Sequence, residues 1–183
     1  MGRQATATIA ALTGVLLLAS GCGPDKQGQP TPSAVNTSAT AAALWDPCTQ
    51  LSDQTLQSVG LVPATKRSGV AGVEEPGFKV CSWNNKASSW DFTVGVFSTV
   101  HSVDDYKKKP ENVDFSNVTI SGRDGFKYRT TTDKLKEDCD FVFPAAQGAI
   151  AITTIDSAAS KNQTDPCGRA TTVIEALVPL FPR

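Results

Sequence analysis

The chain has 183 residues, of which 17 are basic, 18 are acidic and one, His101, is histidine, and its formal net charge is −1. This length is sufficient for one domain with a substantial hydrophobic core. The absence of a basic field argues against a nucleic-acid partner, and a single histidine excludes sites that need two imidazoles, including most catalytic zinc centres. The five cysteines form an odd set, so one of them needs a role outside intrachain disulfides.

The N-terminal segment has the layout of an export signal. Arg3 precedes an apolar run over 9–18, which is about ten residues, whereas a membrane-spanning helix needs about 20. The run ends in Ala-Ser-Gly directly before Cys22. This arrangement resembles the lipobox of bacterial lipoproteins. The resemblance implies cleavage after Gly21, transfer of diacylglyceryl to the Cys22 thiol, and acylation of the new amino group by a fatty acid such as palmitate. The alternative is an ordinary secretory signal that ends near an unrelated cysteine.

Three segments follow from this interpretation. Residues 1–21 are the predicted lipoprotein signal peptide, 22–44 the lipidated cysteine and a flexible tether, and 45–183 a single folded domain. Residues 23–44 are rich in Gly, Pro, Gln, Ser, Thr and Ala and have no aromatic side chain, so they bury too little apolar surface to offset the entropy of ordering. Several acyl chains on one residue hold a protein stably to a bilayer. The expected location is therefore the outer face of the cell membrane, with the membrane as partner through Cys22.

Helix starts are predicted where two Asp-Pro-Cys tripeptides occur, at 46–48 and 165–167. Asp is a favoured N-cap and Pro a favoured first helical residue. The first helix is expected to end at Gly60, with Ser52 as a second candidate N-cap, and the last is expected to stop at Pro179. A third, shorter helix is predicted over 103–109, capped by Ser102.

Alternating apolar and polar residues between the helices predict six strands, over 78–83, 90–96, 115–120, 125–131, 138–143 and 149–155. Short turns at 84–85, 122–125 and 144–148 predict antiparallel pairing. The predicted fold class is α+β, an antiparallel β-sheet with the N- and C-terminal helices packed on one face.

The four remaining cysteines predict two disulfides; they are Cys48, Cys81, Cys139 and Cys167. Four cysteines allow three pairings. We favour Cys48 with Cys81 and Cys139 with Cys167, because each bond then joins a helix start to a neighbouring strand. The alternative pairing joins Cys48 to Cys167 and Cys81 to Cys139. A structural zinc site is a third choice, weakened by the absence of a Cys-x-x-Cys pair.

The same motifs, taken in chain order, resemble those of a known family. The first Asp-Pro-Cys helix, the Cys-x-Trp of 81–83, Cys139 and the second Asp-Pro-Cys resemble an actinobacterial lipoprotein family catalogued as a domain of unknown function. The resemblance covers roughly 45–182. It implies an exported, membrane-anchored and disulfide-bonded envelope protein, and it implies no activity or catalytic residue.

The sequence offers no strong catalytic motif. Ser98 and Ser102 flank His101, but a catalytic pair must meet in space together with an orienting acid, so His101 is interpreted as a surface residue. The acidic groups 104–105 and 137–140 do not match a calcium loop and are interpreted as solvated turns. The basic run 107–109 is interpreted as a solvated helix face, the alternative being contact with anionic lipid. No catalytic residue, metal or cofactor is predicted.

The aromatic side chains suggest two roles. They are Trp83, Trp90, Phe92, Phe97, Phe126, Tyr128, Phe141 and Phe143. They are expected to fill the core between sheet and helices, or alternatively to line a cavity for an apolar ligand. The predicted function is a non-catalytic binding or interaction module for an unknown envelope protein or lipid. The alternative is a carrier of a lipid or other apolar ligand in a sheet–helix cavity.

Overall fold

The computed structural model of the chain describes residues 43–162 and 164–183. The predicted signal peptide, the lipidation site Cys22 and the tether up to residue 42 lie outside the described residues. Leu44 was predicted to end the tether, yet its side chain is only 6% exposed, so the packed domain includes it. Among the described residues, no helix combines the length and hydropathy that crossing a membrane requires.

The described strands form one seven-stranded sheet in which all neighbours run antiparallel. Its spatial order is β1-β2-β3-β7-β6-β5-β4. The strands are β1 (Arg67–Ser68), β2 (Phe78–Asn84), β3 (Phe92–Thr99), β4 (Asn112–Ile120), β5 (Arg123–Thr130), β6 (Asp138–Ala145) and β7 (Gly148–Asp156). The predicted α+β class is confirmed. Only β1 was not predicted, because two residues are too few to show alternation.

The described helices are α1 (Pro47–Gln50), α2 (Asp53–Ser58), α3 (Val103–Lys108) and α4 (Pro166–Leu177), with 3₁₀ turns at Pro63–Thr65 and Val178–Leu180. Asp46 and Asp165 cap α1 and α4 as predicted: Asp46 accepts a hydrogen bond from the Cys48 N–H, and Asp165 accepts from the Cys167 and Gly168 N–H groups. After a break at Leu51, Ser52 caps the second helix, α2, and Ser102 caps α3 in a capping box with Asp105.

The terminal helices share one face of the sheet, as predicted. Helix α1 contacts β2 and β3, and α4 contacts β6 and β7. The largest side chains between these layers, Trp83, Phe141 and Phe143, are at most 1% exposed. Cys48 is bonded to Cys81 and Cys139 to Cys167, which are the two pairs favoured from the sequence. Each disulfide thus fastens the first turn of a terminal helix to a strand of the sheet.

Helix α3 lies on the opposite face of the sheet, which the sequence pattern does not reveal. Tyr106 of α3 packs in a second, separate cluster with side chains of β5, β6 and β7; the others are Phe126, Tyr128, Val142, Ala149 and Ala151. The aromatic residues that were expected to fill a single core are therefore divided between the two faces. Phe97, Phe126 and Tyr128 belong to the second face.

Loss of either disulfide should destabilise the domain measurably. Replacing Cys139 and Cys167 by alanine removes a bond that spans 28 residues, and we expect the free energy of unfolding to fall by about 3.5 kcal/mol. Urea unfolding monitored by tryptophan fluorescence measures the change, and the unaltered chain with both disulfides formed is the reference. An unchanged urea midpoint in the double variant would contradict the proposed role of this bond.

Candidate functional site: an aromatic groove over a buried carboxylate

The structure does not bring the residues around His101 into a catalytic arrangement. The His101 side chain is exposed and its ring centroid lies 5.2 Å from that of Phe78. Ser98 is fully buried, while the Ser102 hydroxyl is hydrogen-bonded to the Asp105 carboxylate in the cap of α3. Among the described residues, neither serine nor any carboxylate hydrogen-bonds to the imidazole.

Two lysines of the basic run lie over aromatic rings instead of pointing only into solvent. The Lys107 ammonium is 5.0 Å from the centroid of the Phe126 ring, and the Lys109 ammonium is 5.5 Å from that of Tyr106. Both distances are within the range of cation–π attraction. The basic run therefore belongs to the second face of the sheet.

A groove of about 220 Å³ opens on this second face. Its floor is formed by Ala151 and Thr153 of β7. Aromatic rings form its walls, and the residues that line it besides the floor are Phe78, Phe97, Tyr106, Tyr128, Val70, Glu75 and Lys109. The last three stand on the loop after β1 or at the end of α3, so the groove lies between the sheet and these two segments.

Small residues in the middle of the sheet create the depth of the groove. Gly95 of β3 lies opposite Thr153 in the register, and a Cβ at this glycine would stand 2.9 Å from the ring of Phe97. The Phe97 ring therefore leans over the glycine. Ala151 of β7, which lines the groove, also has a short side chain between taller aromatic ones. This short residue leaves space for a ligand between the aromatic walls.

Asp140 lies in the floor of this face. In the register it is opposite Tyr128 on β5 and opposite Thr153 on β7, so the three side chains form one row across the second face. Asp140 is only 6% exposed, and one of its carboxylate oxygens accepts a hydrogen bond from Thr153 Oγ1 at 2.5 Å. The expectation of a solvated acidic turn at 137–140 is wrong for this residue, because α3 and the neighbouring rings cover it.

Burial governs the titration of these groups. It raises the pKa of Asp140 to about 6, with further increases from the charges of Asp138 and Asp133 and opposing effects of the Thr153 hydrogen bond and the charge of Arg129. Burial also raises the pKa of the Tyr106 and Tyr128 phenols above the ordinary value, and the negative charge of Asp140 raises both further. Both phenols therefore keep their protons at neutral pH and can donate hydrogen bonds.

This arrangement can hold a small ligand that has an apolar body and one polar group. The rings and alanines offer apolar contact, and Asp140, Thr153 and the two phenols offer hydrogen-bonding groups at one place. The volume is below the 300–1,000 Å³ or so typical of drug-sized ligands, which restricts the occupant to a small molecule or a short segment. A buried acid with a displaced pKa in a concave site is also typical of functional sites. None of the described His, Cys, Asp and Glu side chains group as metal ligands.

The family model described as "Protein of unknown function (DUF3558)" matches residues 17–180. The chain belongs to the DUF3558 family. The match spans every described helix and strand, and with them the groove and the four bonded cysteines. The expected membership of a family with a domain of unknown function is confirmed. Searches of curated proteins and of solved structures found no match.

The Asp140 carboxylate should lower stability at neutral pH. Because its pKa in the folded chain lies above the ordinary 3.8, the folded state binds this proton more tightly than the unfolded state, and the free energy of unfolding falls between about pH 4 and pH 6. Asp140→Asn keeps an acceptor for Thr153 and removes the charge. We expect it to raise the free energy of unfolding at pH 7.5 by up to about 3 kcal/mol, with little gain near pH 4.

Urea unfolding at the two pH values measures this difference. Asp114→Asn, at an exposed position where the backbone φ of 56° also tolerates Asn, is the matched control and should change little. A loss of stability for Asp140→Asn at pH 7.5 would show that the charged form is favoured by the fold, contrary to the burial argument.

Proposed function

We propose that this DUF3558 protein is an exported, non-catalytic lipoprotein of the bacterial cell envelope whose domain binds a small apolar ligand in the aromatic groove. The observation that carries the proposal is the groove itself, with short residues on its floor, aromatic walls and a buried acid in the same row. Ligand sites are mostly concave and apolar, with a few convergent polar groups that fix orientation. This combination is present on the sheet face opposite the two disulfide-bonded helices.

The position of the protein outside the cytoplasm is supported by two independent features. The lipobox-like sequence before Cys22 predicts attachment to the outer face of the membrane, with the acyl chains as anchor. The two disulfides support export, because such bonds persist mainly in oxidising compartments.

The packing favours a surface groove over a carrier cavity between sheet and helices. Trp83, Phe141 and Phe143 occupy the layer beneath the terminal helices and are almost fully buried. The aromatic groove lies on the other face, where Phe97 and Tyr128 line an opening to solvent. A binding module for a small ligand agrees with this distribution better than a carrier that encloses a whole lipid.

The lipid anchor is tested by removing its attachment point. Cys22→Ala should shift the protein from the membrane fraction to the soluble fraction or leave the precursor uncleaved, because the thiol that receives the lipid is lost. Immunoblotting of fractionated cells measures the distribution. Ser20→Ala keeps the cysteine and a small residue before it, and should stay in the membrane. Retention of the cysteine variant in the membrane, after normal processing, would exclude this anchor.

The groove is tested by alanine-methyl NMR on the full-length chain carrying Cys22→Ala, so that no detergent competes for an apolar site. Titration with n-octanol should shift the methyl signal of Ala151 in the groove floor. The methyl signal of Ala170, fully buried on the helix side, should not move. Ala151→Leu should fill the groove, and calorimetric titration should then show octanol binding weakened at least tenfold relative to the unaltered side chain.

Ala158→Leu makes the same substitution at an exposed position and is the matched control. It should bind n-octanol as tightly as the chain with Ala158. Shifts at Ala170 without shifts at Ala151 would place the ligand in the sheet–helix core. Unchanged binding by Ala151→Leu would exclude the groove as the site.

A further inference from the structure

The Asp140 carboxylate, which lies beside the groove between the lining residues Tyr128 and Thr153, has no ion-pair partner among the described residues. No lysine or arginine nitrogen of this part of the chain lies within 4.0 Å of Asp140. Its neighbour in the next strand, Arg129, is engaged elsewhere, at 3.7 Å from the carboxylates of Asp133 and Asp165. Of the described side chains and backbone groups, only Thr153 donates a hydrogen bond to the Asp140 side chain. A buried charge in this situation is costly unless a partner of opposite sign is supplied.

The walls around this carboxylate have a chemistry that attracts cations. Tyr106 and Tyr128 lie close enough to Asp140 for its charge to raise the pKa of both phenols. The face of an aromatic ring carries partial negative charge and attracts an ammonium group. The protein's own ammonium groups already lie on such rings, as Lys107 does on Phe126 and Lys109 on Tyr106.

We propose that the groove recognises a small amphiphilic amine. Its apolar body lies on Ala151 between the aromatic walls, and its ammonium group donates to the Asp140 carboxylate and the Thr153 hydroxyl beside Tyr128. This inference rests on the proposed function of the groove and names the chemical class of its ligand.

The charges at the rim agree with this assignment. Glu75 lines the groove together with one cation, Lys109, and the ammonium of Lys109 is placed over the Tyr106 ring. A ligand carboxylate would approach Asp140 and Glu75 as a like charge, whereas an ammonium forms a charge-assisted hydrogen bond, which is shorter and stronger than a neutral one. An alcohol gains the same apolar contacts and can donate one hydrogen bond, but it brings no positive charge to the carboxylate.

Three probes with the same eight-carbon chain separate the contributions of tail and head group. n-Octylamine, n-octanol and octanoate are titrated at pH 7.5 into the full-length chain carrying Cys22→Ala, with the Ala151 methyl signal as readout. We expect n-octylamine to bind at least tenfold more tightly than n-octanol, and octanoate more weakly than either. Asp140→Asn should reduce n-octylamine affinity at least tenfold and leave n-octanol affinity within twofold. Asp114→Asn should change neither.

The outcomes separate a failure of the amine assignment from a failure of the groove as a binding site. Equal affinities of n-octylamine and n-octanol for the unaltered groove, or a preference for octanoate, would overturn the amine assignment and leave the groove in place. No response at Ala151 to any of the three probes would overturn the proposed function together with the ligand class. The ranking of the probes on the unaltered groove decides the matter even where the Asp140 variant folds poorly.

Discussion

The arrangement of the domain depends on the two disulfides that hold both terminal helices to one face of the sheet. Cys48 fixes the first turn of α1 to β2, and Cys167 fixes the first turn of α4 to β6. These bonds reduce the entropy of the unfolded chain. The large side chains that lie between these helices and the sheet, such as Trp83 and Phe141, are buried in a close-packed core. Within residues 43–162 and 164–183, the opposite face is covered by the six-residue helix α3 and the loop after β1. Because this cover is partial, a groove lined by aromatic rings remains open on that face.

The groove combines two properties that oppose each other in folding. Its aromatic and alanine lining contributes apolar burial, while Asp140 in the same row introduces a charge that burial disfavours. The hydrogen bond from Thr153 offsets only part of that cost, since one donor cannot replace the hydration of a carboxylate. Residues that reduce stability in this manner are typical of binding and catalytic sites, where function requires a group that packing alone would replace. A cationic ligand would offset the remaining cost of burying this charge, which links the electrostatics of the groove to its proposed ligand.

Much of the fold could be predicted from local sequence signals, whereas the site could not. Asp46 and Asp165 cap helices because capping depends on the first few residues alone, and six strands follow from alternation. Alternation also places Asp140 on the same face as Val142 and apart from Phe141. It does not reveal which element covers that face, because α3 reaches it only through the pairing of strands distant in sequence. The burial of Asp140, the lean of Phe97 over Gly95 and the packing of Leu44 all depend on such non-local contacts. The acidic run was consequently interpreted as solvated.

The most direct test of the central claim, that the groove holds an ammonium against Asp140, is a crystal structure of the domain soaked with n-octylamine. The claim predicts electron density for the alkyl chain along Ala151 between the aromatic walls. It also predicts the nitrogen at hydrogen-bond distance, about 2.8 Å, from the Asp140 carboxylate. Density confined to the layer beneath α1 and α4, or an alkyl chain in the groove with its nitrogen directed away from Asp140 into solvent, would contradict it.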